Sequence, residues 1–185
     1  MASRAGLVAV LWENDDPRRV RLDESTEDDA HPILARAETE LAEYFAGKRN
    51  SFSIPIEARG TVFQKQVWEA LLGIPFGETR CYGEIATQLG VPTASRAVGG
   101  ANGRNPISII VPCHRVIGSS GKLTGFAGGL EAKSFLLNLE GKGRDVGNTD
   151  VVNETRRPRR RNRSGTGSTV ILEQFDRRRS PVDCT

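Results

Sequence analysis

Three observations predict an α+β fold made of two units and a tail. Strand-like apolar runs dominate the first 59 of 185 residues, helical periodicity takes over from Thr61, and the patterning dissolves after Gly141. Residues 1–59 form the predicted N-terminal α+β unit, 60–144 the predicted helical domain, and 145–185 an Arg-rich tail expected to be disordered.

In chain order, residues 7–12, "LVAVLW", read as a fully buried strand, "NDDPRR" as a turn and "VRL" as a short return strand. "DESTEDDA" is an acidic loop. "HPILARAETELAEYFAGK" reads as a helix, with Pro32 in its first turn and Gly47 as its stop. Leu34, Ala37, Leu41, Tyr44 and Phe45 share one face of it. "SFSIPI" points Phe52, Ile54 and Ile56 inward as a strand, and Pro55 assigns it to an edge.

The second unit opens with a capping box, Thr61 to Gln64, followed by the stripe Phe63, Val67, Ala70, Leu71 and Ile74. Pro75 and Gly77 end that helix. "YGEIATQLG" is a short helix, and "TASRAVGGANG" another with Thr93 as its N-cap. The tight "GVP" turn between them predicts a helix-turn-helix. Its second helix is almost bare of side chains, because Ala94, Ala97, Gly99, Gly100, Ala101 and Gly103 dominate it. Glycines cost helix stability, so close approach to another molecule is the natural reason for them. "IIVPCHRV" follows as an extended segment, then the glycine-rich "GSSGKLTGFAGG", then a helix over 130–140 with Leu130, Leu136, Leu137 and Leu139 apolar.

Composition excludes several classes. Hydrophobic residues make up 37% and charged residues 26%, and no run approaches a membrane span. A cytoplasmic location is expected, with no membrane partner. Three cysteines at wide spacing and two histidines support neither a disulfide framework nor a four-ligand zinc site, so no metal and no cofactor is expected. The net charge of +3 hides a gradient. Residues 1–59 hold 8 basic and 12 acidic side chains, and residues 151–185 hold 9 and 4. The basic character thus lies largely in the tail and says little about nucleic-acid binding by the folded part.

The chemistry concentrates at Cys113 and His114. A thiol reacts as thiolate and needs a base or a cation beside it, and a base needs a partner to orient it. His114 is the candidate base and Glu140 the candidate to orient its second ring nitrogen. In an extended segment neighbouring side chains diverge, so the two need not touch directly. Taken alone, the residues also fit a small buried cysteine beside a satisfied histidine, or a cysteine hydrolase.

The runs "FQKQVWEALLGIPFGETRCYGEIATQLG", "SRAVGGANGRNPISIIVPCHRVIGSSGKLTGFAGG" and "LLNLEG" resemble, in order, the C-terminal domain of the O6-alkylguanine-DNA alkyltransferases. "ELAEYFAG" resembles that family's N-terminal domain. The resemblance implies a ribonuclease H-like N-terminal unit, shortened by its first strand, and a winged-helix-like C-terminal domain. It implies a monomer that acts on double-stranded DNA carrying O6-alkylguanine, with O4-alkylthymine as a further candidate, and that is consumed by alkylating its own Cys113. By the same resemblance His114 is a water-mediated base partnered by Glu140, and Tyr82 assists departure of the base. Arg96 enters the stack in place of the flipped nucleotide, and Asn105 braces the turn before the active segment. Ala97, Gly100 and Ala101 face the minor groove. Arg104 and Lys122 are candidate phosphate contacts. The carbonyl of Val111 and residues Phe126, Ala127 and Gly128 line the pocket.

Departures from the family pattern are Cys81 where Ser or Thr would cap the helix that begins at Tyr82, Ala127 in the pocket loop, and the tail. Two competing readings are a non-catalytic alkylated-DNA-binding protein, which would lack the acceptor cysteine, and a helix-turn-helix regulator.

Overall fold

The computed structural model describes residues 1–16, 18–21, 28 and 30–142. The expected tail, most of the acidic loop and Leu22 of the "VRL" segment lie outside the described residues. Among the described residues the order is α1 (Pro32–Phe45), α2 (Val62–Leu72), β1 (Arg80–Cys81), α3 (Tyr82–Gln88), α4 (Ser95–Gly103), a 3-10 turn (Cys113–Arg115), β2 (Val116–Ile117) and α5 (Gly129–Lys142).

The N-terminal unit is held by single bridges rather than a continuous ladder. Leu7 pairs in parallel with Ile56, exchanging its N–H with the Pro55 carbonyl and its carbonyl with the Glu57 N–H. Residues 1–3 fold back beside it, where Ala2 bridges Leu7 and the terminal amine donates to the Ala9 carbonyl. The expected strand over 7–12 is thus an extended segment, buried at Leu7, Val8 and Ala9 but exposed at Leu11. No strand forms at Val20 or Arg21. The inward alternation of Phe52, Ile54 and Ile56 holds, with exposed Pro55 between the last two. A second parallel bridge, Val10 to Ile107, joins this unit to the helical domain, through Val10 N–H to the Pro106 carbonyl and Ser108 N–H to the Val10 carbonyl.

α1 begins at Pro32, whose missing N–H costs nothing in a first turn. It ends where Gly47 takes φ +69°, a conformation open to glycine. α2 carries both halves of its capping box: Thr61 Oγ1 accepts from Gln64 N–H, and Gln64 Oε1 accepts from Thr61 N–H. Its buried face is Val67, Trp68, Ala70 and Leu71, and Trp68 Nε1 donates to the Ala101 carbonyl at 2.9 Å, locking α2 against α4. Ile85 and Ala86 of α3 and Val98 and Ala101 of α4 complete this core with Ile107, Ile110 and Val116.

Several boundaries differ from expectation. α4 starts at Ser95, and its N-cap is Ala94 with no side-chain bond, so Thr93 does not cap it. α5 runs through Gly141 to Lys142 and begins at Gly129, with Leu130 half exposed at 50%. The "CHR" segment is a 3-10 turn rather than a strand, and only Val116 and Ile117 pair in parallel with Arg80 and Cys81. At the start of α3 the Glu84 carboxylate accepts from Cys81 N–H, which supplies one cap from the acidic partner despite the absent hydroxyl.

The capping box at Thr61 stands at the entrance to the helical domain. Thr61→Ala should cost about 1 kcal/mol, read as a lower denaturant midpoint with an unchanged slope.

Candidate active site

The segment 105–117 is buried throughout and shaped by Asn105. Its amide Nδ2 donates to the Val111 carbonyl at 2.9 Å while its Oδ1 accepts from Ile107 N–H at 3.0 Å. The side chain thus clips both ends of a loop that turns at Ile109. Ile109 sits at φ +73°, where a β-branched residue is strained, so the clip holds a costly turn in place. The turn delivers Cys113 into the interior, where it is 3% exposed. Arg19, from the N-terminal unit, adds a second clamp. Paired with Asp15, it donates to the carbonyls of Asn105 at 2.5 Å and Gly103 at 3.3 Å, covering the end of α4.

His114 and Glu140 are both fully buried and meet at 2.8 Å, Nε2 to Oε1. Glu140 takes four further donors. Arg115 contributes Nε at 2.8 Å and Nη2 at 2.9 Å, the Tyr44 hydroxyl 2.8 Å, and Gly77 N–H 3.1 Å. Arg115 also donates to the Ile74 carbonyl and stacks over Phe76. These donors outweigh burial and hold the Glu140 carboxyl at about 2, so it is a carboxylate and can only accept. His114 Nε2 must therefore carry the hydrogen. Burial pushes the His114 pKa down, so the ring is neutral and its Nδ1 lone pair, which has no protein partner, is a ready acceptor.

Burial pushes the Cys113 thiol up, and this outweighs the opposing pull of the Asn105 amide, Lys133 and Arg19. Lys133 is fully buried on α5, and desolvation lowers it to about 8. Its ammonium donates to the Val116 carbonyl at 2.6 Å and the Thr124 carbonyl at 2.7 Å, tying the active segment to the following loop. On that loop Phe126 approaches the His114 ring at 6.4 Å and Trp12 at 5.5 Å, both edge-on. A Cβ on Gly128 would lie 2.5 Å from the Trp12 ring, so the loop is pressed against the N-terminal unit at a glycine. Ala127 is half-buried there. Tyr82, at the start of α3, accepts from Thr124 Oγ1 at 3.4 Å, and a Cβ on Gly99 would lie 3.7 Å from its ring. Burial raises its phenol pKa.

Of the expected surface residues, Arg96, Ala97, Gly100, Arg104 and Lys122 are exposed, the first four along α4 and its end and Lys122 on the loop after β2. Ala101 is not on that face: it is 4% exposed because the α2–α4 contact covers it. The Val111 carbonyl is likewise spent, since Cys113 N–H at 2.8 Å and Asn105 Nδ2 already occupy its two lone pairs. It is therefore corrected from a pocket acceptor to part of the clip. Tyr44, Arg115, Lys133, Arg19 and the Gly77 amide were not singled out from sequence. Lys133, Leu136 and Glu140 share one buried face of α5, so two charges on an apolar stripe were the available signal.

No helix among the described residues is long and apolar enough to cross a membrane, and no cluster of metal-ligating side chains occurs among them.

Residues 62–142 match the family model described as "6-O-methylguanine DNA methyltransferase, DNA binding domain". Residues 1–58 match "6-O-methylguanine DNA methyltransferase, ribonuclease-like domain". The chain is 64% identical over 109 residues to a methylated-DNA–protein-cysteine methyltransferase of Methanosarcina acetivorans, covering 59% of this chain and 70% of the relative. Over 101 residues it is 63% identical to the Mycobacterium tuberculosis protein of the same name, covering 55% of this chain and 61% of that one. Among solved structures, the mycobacterial protein in complex with DNA aligns with a TM-score of 0.59 and 59% identity over 60% of this chain and 67% of that chain. A variant of the same O6-methylguanine methyltransferase aligns at 0.57 and 48% identity over 76% of this chain and 90% of that chain.

Glu140 and His114 set the acid limit of the fold. Glu140 has its carboxyl lowered from 4.5 to about 2, so its contribution is complete above pH 4.5 and is lost as pH falls toward 2. His114 is also lowered, from 6.5, so its neutral form favours the folded state above pH 6.5 and opposes it as pH falls below. The denaturant midpoint should decline from pH 7 downward and steepen below pH 4.5. Glu140→Gln, measured the same way, should show a shallower decline below pH 4.5 from a lower starting stability.

Proposed function

This chain belongs to the 6-O-methylguanine DNA methyltransferase family, and from that membership we propose that it repairs alkylated DNA by irreversible transfer of the alkyl group from O6-alkylguanine to Cys113. One observation carries the assignment of roles. A buried neutral imidazole next in sequence to Cys113 has Nε2–H committed to a carboxylate and Nδ1 unpartnered.

The step begins from a protonated thiol. A water between Cys113 and His114 accepts the thiol proton and passes a proton to Nδ1. Glu140 stabilises the imidazolium that forms. The thiolate attacks the alkyl carbon, so an S–C bond forms as the O6–C bond breaks and its electron pair stays on the guanine. Tyr82 passes its hydroxyl proton to the leaving base, which ends as neutral guanine. The proton held by His114 returns through water to restore the phenol, so that the guanine gains the one proton the thiol lost. The thioether is stable, no second nucleophile restores the thiol, and each molecule acts once. No cofactor enters the balance.

The target atom is unreachable inside a duplex, so the base must be extruded. We read α3 and α4 as a helix-turn-helix whose second helix enters the minor groove. Exposed Ala97 and Gly100 leave room there, and Arg96 fills the vacated place in the stack. Arg104 and Lys122 contact phosphates. Phe126, Ala127 and Gly128 line the base pocket. A non-catalytic damage-binding role would have no use for a thiol seated beside a complete His–Glu pair.

Incubation with a duplex carrying a single O6-methylguanine, followed by digestion and mass spectrometry, should find one added methyl, on the peptide bearing Cys113. An unmodified Cys113 in folded protein contradicts the proposal. Cys113→Ala should bind the duplex and transfer nothing. Arg96→Ala should slow transfer from duplex far more than from the free base, and equal slowing would rule out the flipping role.

A further inference from the structure

The relay has a member that comes from the other structural unit. Tyr44 lies on α1, 1% exposed, and its hydroxyl reaches Glu140 Oε1 at 2.8 Å, the same oxygen that accepts His114 Nε2–H at 2.8 Å. The ring is fixed by Phe45 and Phe52 at 5.4 Å and Phe76 at 6.2 Å between centroids. We propose that Tyr44 is a positioning residue for alkyl transfer: its hydroxyl, delivered by the N-terminal unit, orients Glu140 and sets how strongly that carboxylate draws on His114. The inference rests on the alkyl-transfer reading of the site.

The physical argument is one of shared charge. Oε1 takes three donors, from His114, Tyr44 and Arg115 Nη2, while Oε2 takes Arg115 Nε and Gly77 N–H. Each donor spreads part of the negative charge. The phenol stays protonated, because burial and the neighbouring carboxylate both push its pKa up, so it is a permanent donor. Removing it concentrates charge on the oxygen facing His114, which then holds a proton more tightly. The other groups facing this pair are Arg115 and Cys113 from the 3-10 turn and Lys133 from α5. Arg115 and Lys133 both disfavour the imidazolium. Tyr44 therefore acts in the same direction as they do, keeping His114 neutral and able to accept.

Tyr44→Phe retains the ring and deletes the donor. In the full chain the single-turnover transfer rate from an O6-methylguanine duplex at pH 7 should fall about 3- to 10-fold, the range set by one hydrogen bond. The acid limb of the pH–rate profile should move to higher pH, with duplex affinity unchanged. Phe45→Leu loosens the same helix face without touching Glu140, so its profile should keep the wild-type acid limb even if stability drops. Should Tyr44→Phe fail to fold, 3-fluorotyrosine installed at position 44 is a stronger donor of the same shape and should move the acid limb to lower pH. An acid limb that stays fixed in the folded Phe variant, or in the fluorotyrosine protein, overturns the inference. A wild-type chain that never alkylates Cys113 overturns instead the alkyl-transfer reading on which it rests.

Discussion

The Glu140 carboxylate is the interaction on which the rest of the site depends. It is fully buried and takes five donors, from α1, from the turn after α2 and from both residues that follow Cys113. A buried charge is tolerated only when its lone pairs are satisfied in good geometry, and breaking such a set costs more than an ordinary hydrogen bond. The same satisfaction fixes chemistry. A carboxylate held at about 2 cannot donate, so His114 has one possible neutral tautomer, and its remaining nitrogen has no protein partner.

The thiol is held under opposing influences. Burial at 3% exposure favours the protonated form, while Asn105, Lys133 and Arg19 favour the thiolate. A nucleophile stored as thiol in an apolar setting is protected from incidental alkylation and oxidation, and becomes reactive when a base relieves it of its proton. The backbone supports this storage. The Asn105 clip and the left-handed Ile109 fix the turn, and Lys133 binds the segment to the loop carrying Phe126. The N-terminal unit contributes directly, through Tyr44 on Glu140, Arg19 on the end of α4 and Trp12 on the loop carrying Phe126.

Much of this was legible in the sequence where local rules decide. The capping box at Thr61, the stop at Gly47 and the buried stripe of α2 follow from caps and a 3.6-residue period. The pairing of His114 with Glu140 was inferred from residue chemistry and family resemblance together. What was not legible depends on non-local packing. Nothing local marks Leu7 for two isolated bridges rather than a ladder, or assigns Ala101 to the covered side of α4. Arg115 reads as an ordinary basic residue until the fold brings Ile74, Phe76 and Glu140 around it. Tyr44 reads as core for the same reason, since its periodicity reports burial and not what its hydroxyl meets.

The central claim is that Glu140 holds His114 as the neutral tautomer with hydrogen on Nε2 and a bare Nδ1. The chain has only two histidines, His31 and His114, so nitrogen-15 NMR of the imidazoles is readable directly, with His31→Gln to assign them. At pH 7 the account predicts a protonated Nε2 and an unprotonated Nδ1 for His114, persisting to pH values below the ordinary titration of a histidine. A hydrogen on Nδ1, or an imidazolium at pH 7, would contradict it.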